Sequence, residues 1–162
     1  MLYIREALPA DFDALWPIVK DIVQAGETYA LAPDMTREEA YALWCEAPLA
    51  TFVAEESGEL LGTYYLKKNA SGPGDHVCNC GYMVATAARG RGVARTMCEH
   101  SQQVARKHGF KAMQFNSVVA TNEGAVRLWQ KLGFEIVGKL PKAYRHPQHG
   151  FVDAYVMYKW LV

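Results

Sequence analysis

One segment near the middle of the chain restricts its fold more than any other. Residues 81–93, GYMVATAARGRGV, join a short apolar stretch to a loop of alternating arginine and glycine, and an apolar run of helical period follows from Val93. The apolar stretch is typical of a half-buried strand. A strand that enters a helix through a glycine-rich turn directs free main-chain N–H groups and the positive end of the helix dipole at one point. The segment therefore predicts an anion site, and phosphate is the usual occupant of such a site.

Two common phosphate-binding motifs do not fit this segment. The Walker-type loop requires Gly-Lys-Ser/Thr at the start of the helix, and no lysine stands there. The dinucleotide fingerprint requires a third glycine after Gly92, where Arg95 stands. Taken alone, the loop is equally compatible with a solvated basic turn.

The run Arg89-Gly90-Arg91-Gly92-Val93-Ala94 resembles the acyl-CoA loop of the GNAT (Gcn5-related N-acetyltransferase) superfamily, Arg/Gln-x-x-Gly-x-Gly/Ala. Residues 122–134 resemble the second GNAT signature, Asn-x-x-Ala-x-x-Leu-Tyr-x-x-x-Gly-Phe. In this second run Asn122 suits a helix N-cap and Gly133 a helix terminator. Two signatures in the family's order are far more specific than one, and the resemblance extends from about the first strand to the end of the chain.

The resemblance implies an α+β fold with three layers, α/β/α, the GNAT acyl-CoA N-acyltransferase fold. Its sheet is mixed and mostly antiparallel, and its central strands, here residues 77–85 and 112–119, splay apart. The arm of the cofactor enters the gap like an extra strand and binds main-chain groups near Met83 and Val84, a form of β-augmentation.

Length and charge support one soluble domain over residues 1–162. Lys+Arg and Asp+Glu both number 17, so no net charge recruits nucleic acid or a membrane surface. No apolar run approaches ~20 residues and no signal peptide is visible, so a cytoplasmic location is expected. The four cysteines, Cys45, Cys78, Cys80 and Cys98, form neither a disulfide framework nor a zinc spacing. We expect Cys78 and Cys80, on one face of a strand, to be small core side chains, and we expect no metal.

Local patterns predict the remaining elements. Asp11 is predicted to cap a first helix in which Pro17 causes a kink or a late start. Thr36 and Glu39 form a capping box for a second helix that ends near Cys45. Ser57-Gly58 predicts a tight hairpin turn. The predicted strands span residues 2–7, 51–55, 60–67, 77–85, 112–119, 134–139 and 152–160, and the later helices begin at Val93 and Asn122.

The resemblance implies acetyl-CoA as co-substrate. Its diphosphate would meet the loop amides, and the three loop arginines would supply charge unless they are simply solvated. The predicted cofactor-binding residues are Met83, Val84, Arg89, Gly90, Arg91, Gly92, Val93, Ala94, Arg95 and Asn122.

A narrower resemblance suggests the acceptor. Residues 114–122, QFNSVVATN, are similar to the GNAT branch that includes fungal L-azetidine-2-carboxylate N-acetyltransferases. By position, Asn79 and Asn116 would bind the acceptor's carboxylate, and Asn122 would support the cofactor. The alternative is that Asn79 and Asn116 only satisfy main-chain groups where two strands diverge. The loop residues Glu27, Thr28 and Tyr29 are predicted to line the acceptor pocket.

The chemistry requires an oxyanion donor, a base and a proton for the thiolate. The main-chain N–H of Val84 is the predicted oxyanion donor. Trp129 stands where the family usually has a proton-donating tyrosine, and an indole is no practical proton source. The candidates for the general base are Asp75, His76, Glu27 and Tyr82, whereas His108, His146 and His149 are expected to be exposed or in loops.

The leading hypothesis is an acetyl-CoA-dependent N-acetyltransferase that acts on a small amine, an amino or imino acid being the narrower suggestion. One alternative is a protein or peptide N-acetyltransferase, which predicts an open groove. Another is a non-catalytic acyl-CoA-binding regulatory module, which the Trp129 substitution motivates. A homodimer is expected only from the resemblance to this family.

Overall fold

The computed structural model describes residues 1–162, which form seven strands and four α-helices. The strands are β1 (Tyr3–Glu6), β2 (Ala50–Glu56), β3 (Glu59–Lys68), β4 (Val77–Val84), β5 (Ala112–Val119), β6 (Glu135–His146) and β7 (Gly150–Trp160). The α-helices are α1 (Phe12–Ala25), α2 (Arg37–Tyr41), α3 (Val93–Lys107) and α4 (Glu123–Lys131), and α2 continues as a π-helical turn over Ala42–Glu46.

All seven strands form one sheet in the order β1-β2-β3-β4-β5-β7-β6, in which only β4 and β5 pair in parallel. On one face, Leu15 and Val19 of α1 and Trp44 of the π-helical turn pack with Val53 and Met83 of the sheet. On the other face, α3 and α4 cover a larger apolar cluster that includes Met97 and Trp129. The predicted three-layer fold with a mixed, mostly antiparallel sheet is confirmed.

Several local predictions hold in detail. Thr36 Oγ1 accepts a hydrogen bond from the Glu39 amide at 3.2 Å, and Glu39 Oε1 accepts one from the Thr36 amide at 3.0 Å, which is the predicted capping box. The hairpin turn between β2 and β3 has positive φ at both Ser57 (52°) and Gly58 (81°). That pair of left-handed residues matches the twist of antiparallel strands.

Two local predictions were wrong, and a third is excluded in part. The helix α1 begins at Phe12 and runs through Pro17, so the proline causes no late start, and the kink stays a prediction. Asp11 occupies the N-cap position, but its carboxylate accepts from the Leu8 amide at 2.7 Å and pairs with Arg5 instead of capping α1. The strand β6 continues to His146, beyond the predicted end at residue 139, because pairing with β7 supplies its hydrogen bonds.

The sheet opens between β4 and β5. The two strands pair only at Val77–Ala112 and Cys78–Met113, after which they diverge. At the point of divergence, Asn79 Nδ2 donates to the carbonyl of Gln114 at 2.9 Å. The pairing of β5 with β7 shifts register between Phe115 and Val118, so β5 carries one extra residue there, a bulge of the kind that bends a strand. The predicted splayed pair is therefore present.

All four cysteines are free, and Cys78, Cys80 and Cys98 are buried. Burial raises the pKa of the Cys80 thiol well above its usual value, so this side chain behaves as a core hydrophobe. No group of three or more His, Cys, Asp or Glu side chains is placed to hold a metal ion. None of the helices combines the length and the apolar character needed to span a membrane.

Candidate active site

A cleft of about 590 Å³ occupies the gap between the diverging strands. The loop after α1 covers one side, and the starts of α3 and α4 cover the other. The cleft brings together most of the residues predicted from the sequence: Glu27, Thr28, Tyr29, Asn79, Met83, Val84, Arg89, Ala94, Asn116 and Asn122. Gly90, Arg91, Gly92, Val93 and Arg95 lie in the adjoining loop and helix start.

The open edge of β4 faces this cleft with alternate main-chain groups. The Asn69 amide donates to the Val77 carbonyl at 2.9 Å, and the Ala85 amide donates to the Leu61 carbonyl at 2.8 Å. Val77 and Ala85 therefore both direct their main-chain groups at β3. Because these groups alternate along a strand, the odd-numbered residues of β4 bond to β3, and the N–H and C=O groups of the even-numbered residues face the gap. Val84 and Tyr82 therefore present N–H groups to the cleft. Met83 lines the cleft, but its main chain faces β3.

The loop before α3 offers a row of unused amides. The first main-chain bond of α3 runs from the Thr96 amide to the Gly92 carbonyl at 3.0 Å, so the amides of Val93, Ala94 and Arg95 have no intrahelical acceptor. The amides of Gly90, Arg91 and Gly92 also donate to no group of the chain. Gly90 and Gly92 both have φ of 77°, the left-handed geometry that turns successive amides inward. This amide cradle, residues 90–95, suits the two charges of a diphosphate.

The three loop arginines have different partners. Arg91 pairs with Glu56 of β2, and Arg95 Nε lies 3.1 Å from Glu99 Oε1 on the next turn of α3. Arg89 has no carboxylate partner and lines the cleft. Its positive charge is therefore the one that remains available to an anion beside the amide cradle.

Two hydrogen bonds hold the loop after α1 over the end of the cleft that lies away from the amide cradle. The hydroxyl of Tyr29 donates to the Tyr82 carbonyl at 2.8 Å, and the hydroxyl of Tyr144 on β6 donates to the Tyr29 carbonyl at 3.0 Å. Burial, and then the nearby charge of Glu27, raise the pKa of Tyr144, so its hydroxyl stays protonated and remains a donor. This end of the cleft is a covered pocket.

The predicted asparagines lie at the same end. Asn79 is buried, and its Oδ1 accepts from the hydroxyl of Tyr65 at 3.2 Å. Burial raises the pKa of Tyr65 to about 12, which keeps that hydroxyl a donor. Asn116 accepts from Gln114 Nε2 at 2.9 Å and donates to Asn69 Oδ1 at 2.8 Å. The bond from Asn79 to the Gln114 carbonyl fits the alternative that Asn79 satisfies a main-chain group where the strands diverge. Each asparagine also has one amide N–H left over that can donate to an acceptor molecule.

Asn122 occupies the N-cap position of α4, but its side chain makes no capping bond and lies on the cleft wall. Trp129 of the same helix packs with its ring 5.1 Å from Tyr82 and 5.2 Å from Phe115, and its indole N–H donates to no protein group. Trp129 is thus part of the core and also forms one wall of the cleft.

The four candidates for the general base differ in their position relative to the cleft. Asp75 and His76 are exposed and lie outside the cleft. The hydroxyl of Tyr82 points to Ser101 Oγ on α3, 2.6 Å away, and burial raises its pKa well above the usual value. Glu27 is the one candidate carboxylate on the cleft wall.

Two lining residues with basic side chains were missed from the sequence. Lys67 stands on β3 opposite Asn79, and His146 ends β6. The expectation that His146 is exposed was wrong, since only 6% of it is accessible. Its Nδ1 accepts from the amides of Gln148 and His149 at 3.1 and 3.3 Å. Neither residue stands in a motif, and only the folding of β3 and β6 onto the cleft reveals them.

Comparison with known proteins agrees with this geometry. A solved GCN5-related N-acetyltransferase from Kribbella flavida is 46% identical, with a TM-score of 0.94 over 98% of this chain and 97% of that one. N-acetyltransferase aca1 of Schizosaccharomyces pombe is 35% identical over a 151-residue alignment that covers 83% of this chain and 72% of that protein. The structure of yncA from Salmonella typhimurium, described with its cofactor acetyl-CoA, shares the fold at 22% identity, with a TM-score of 0.84 over 100% of this chain and 95% of that one. The model of the acetyltransferase (GNAT) family matches residues 16–134, and the chain belongs to this family.

Proposed function

We propose that this acetyltransferase transfers the acetyl group of acetyl-CoA to the amine of a small molecule, an amino or imino acid. The observation that carries the proposal is a single cleft with an amide cradle at one end and a covered polar pocket at the other. The cradle and Arg89 suit a diphosphate, and the structure of yncA described with acetyl-CoA supports the same cofactor here. The covered pocket supports a small acceptor over a peptide, which needs an open groove.

In this proposal, acetyl-CoA supplies the activated acetyl group and the chain's own residues do the rest. The amides of residues 90–95 hold the diphosphate, and Asn122 supports the cofactor from α4. The Val84 amide donates to the thioester carbonyl oxygen as negative charge develops there. Glu27, directly or through a water, accepts a proton from the acceptor amine. Asn79 and Asn116 position the acceptor, and Thr28 and Tyr29 close the pocket around it.

Trp129 supports a second candidate, a non-catalytic acyl-CoA-binding module, because it replaces the family's usual proton donor. Direct transfer remains chemically reasonable, since a thiolate is a tolerable leaving group that can take its proton from water. The two candidates differ in one observable, which is release of free thiol in the presence of an amine.

The test is a free-thiol assay with acetyl-CoA and four acceptor classes: free amino and imino acids, polyamines, aminoglycosides and N-terminal peptides. We expect turnover with amino or imino acids, and we expect Asn116→Ala to raise the acceptor KM while the acetyl-CoA KM stays unchanged. Asn69→Ala removes the partner of Asn116 at a position outside the cleft and serves as the matched control. Binding of CoA without thiol release for any acceptor would support the non-catalytic module instead.

The proposal includes a cytoplasmic location, supported by composition, and a homodimer, supported by the family resemblance. Light scattering coupled to size-exclusion chromatography tests the second, since a mass near the 18.1 kDa of one chain would contradict it.

A further inference from the structure

The cleft holds very few charged side chains, and they are far apart. The charged residues on its wall are Glu27, Lys67 and Arg89. Arg89 lies beside the amide cradle. Lys67 stands opposite Asn79, whereas Gly62 stands opposite Val84, so the two register positions are five residues apart, or about 16 Å along the strand. One cation therefore lies near each end of the cleft.

Lys67 has no anionic partner within the chain. Its side chain is half-buried, and Nζ lies 5.2 Å from the centroid of the Tyr65 ring, in the range of a cation–π contact. Its ammonium takes part in none of the chain's ion pairs. A half-buried cation that lacks a counter-ion attracts an anion more strongly than an exposed cation does, because less water screens it.

The surroundings of Lys67 indicate which anion it would take. Asn79 stands directly across the β3–β4 ladder and retains one amide N–H, and Asn116 on the facing strand β5 retains another at the same end of the cleft. An ammonium with two amide donors suits a small carboxylate, whose lone pairs accept several hydrogen bonds. Glu27 lies on the loop that covers this end and can face the acceptor's amine.

We infer that Lys67 binds the carboxylate of the acceptor and so selects amino or imino acids over amines that lack an acid group. The inference rests on the proposed acetyl transfer and adds the residue that determines its specificity. No motif identifies Lys67, and the asparagines alone would provide hydrogen bonds but no charge.

The experiment compares Lys67→Met with wild type on matched substrates: proline with prolinamide, and the amino acid turned over fastest with its carboxamide. Lys67→Met keeps the aliphatic stem and removes the charge. We expect kcat/KM for the acids to fall about ten- to a hundredfold, mainly through KM, and that for the amides to change less than about twofold. Lys67→Arg should restore most of the activity on the acids. Lys68→Met, at the exposed neighbouring position outside the cleft wall, should behave as wild type on both substrates.

Equal losses on acids and amides would overturn the inference, since they indicate a structural role, and so would an unchanged preference for acids in Lys67→Met. The carboxylate assignment would be overturned if the enzyme acetylated O-phosphoethanolamine better than any carboxylate substrate and Lys67→Met abolished that activity. If the wild-type enzyme preferred amines that lack an acid group, the inference would be overturned, but the proposed acetyl transfer would not. Absence of thiol release with every acceptor would overturn the proposed function itself, and the inference with it.

Discussion

The hydroxyl of Tyr29 donates a 2.8 Å hydrogen bond to the carbonyl of Tyr82, on the edge of β4 that no strand covers. Tyr29 belongs to the loop after α1, and its own carbonyl accepts from the hydroxyl of Tyr144 on β6. One loop residue thus joins the open strand to the far hairpin of the sheet. The two bonds hold the loop over the end of the cleft where we propose that the acceptor binds.

Tyr29→Phe removes the hydroxyl and keeps the ring. We expect the free energy of unfolding to fall by about 1 kcal/mol, because one hydrogen bond to a main-chain carbonyl is lost. The acceptor KM should rise severalfold and the acetyl-CoA KM should not change. Urea unfolding and steady-state kinetics measure these effects. Tyr3→Phe, at an exposed tyrosine outside the cleft, is the control, and an equal effect there would contradict the assigned role.

Gly92→Ala tests the amide cradle. An added Cβ meets no atom within 4 Å at Gly92, so the cost comes only from a φ of 77°, about 1 kcal/mol. Relaxation of that strain should turn the adjoining amides away and raise the Kd of CoA. Gly58→Ala is matched, with a φ of 81° and the same open surroundings, but lies in the β2–β3 turn. Calorimetry should show weaker CoA binding only for Gly92→Ala, and equal binding by both variants would contradict the cradle.

Trp129→Phe tests whether the indole takes part in turnover. Trp129 is 8% exposed and packs against Tyr82 and Phe115, so a phenyl ring retains much of the contact. We expect kcat to stay within about threefold of wild type, because an indole supplies no proton. Trp129→Ala should instead lose about 3–5 kcal/mol of stability, as large core truncations do. A large drop in kcat for Trp129→Phe, in a protein of normal stability, would give the indole N–H a catalytic role.

Asp11 should make stability depend on pH. Its carboxylate lies 2.8 Å from Arg5 Nη1, and its hydrogen bonds with Arg5 hold its pKa below the usual value. Because the pKa is lower in the folded state, the stabilisation is complete above the unfolded pKa of about 4 and is lost as the pH falls through the folded-state pKa. Asp11→Asn should therefore cost about 1 kcal/mol at pH 7 and progressively less below pH 4.

Urea titrations at several pH values measure this difference. Asp13→Asn is the control, since the side chain of Asp13 is 85% exposed and its pair with Arg37 lies at the surface. A cost for Asp11→Asn that stays constant down to pH 2 would contradict the linkage.

Local chemistry made much of the fold predictable. The capping box at Thr36 and the hairpin turn at Ser57-Gly58 depend on residues that are neighbours in the chain, and both occur as predicted. The amide cradle is similar, since a strand, two glycines and a helix start lie within a dozen residues. Asp11 shows where local reasoning fails: its predicted cap competes with Arg5, and the paired strand β2 contributes Glu55 to the same guanidinium at 3.1 Å.

The sequence by itself determined the family and, through that resemblance, the mixed sheet with its splayed pair. It also determined the loop whose main-chain amides are left unused, because a strand end, two glycines and a helix start lie close together in the chain. Only the tertiary structure decided which side chains share the proposed acceptor pocket. Lys67, Tyr144 and His146 carry no motif. Lys67 and His146 line the cleft, and Tyr144 bonds to the loop that covers it, because β3 lies beside β4 and the end of β6 folds back over the loop after α1. Contacts between residues as distant as Tyr29 and Tyr144 arise from the packing of whole elements, which local spacing does not encode.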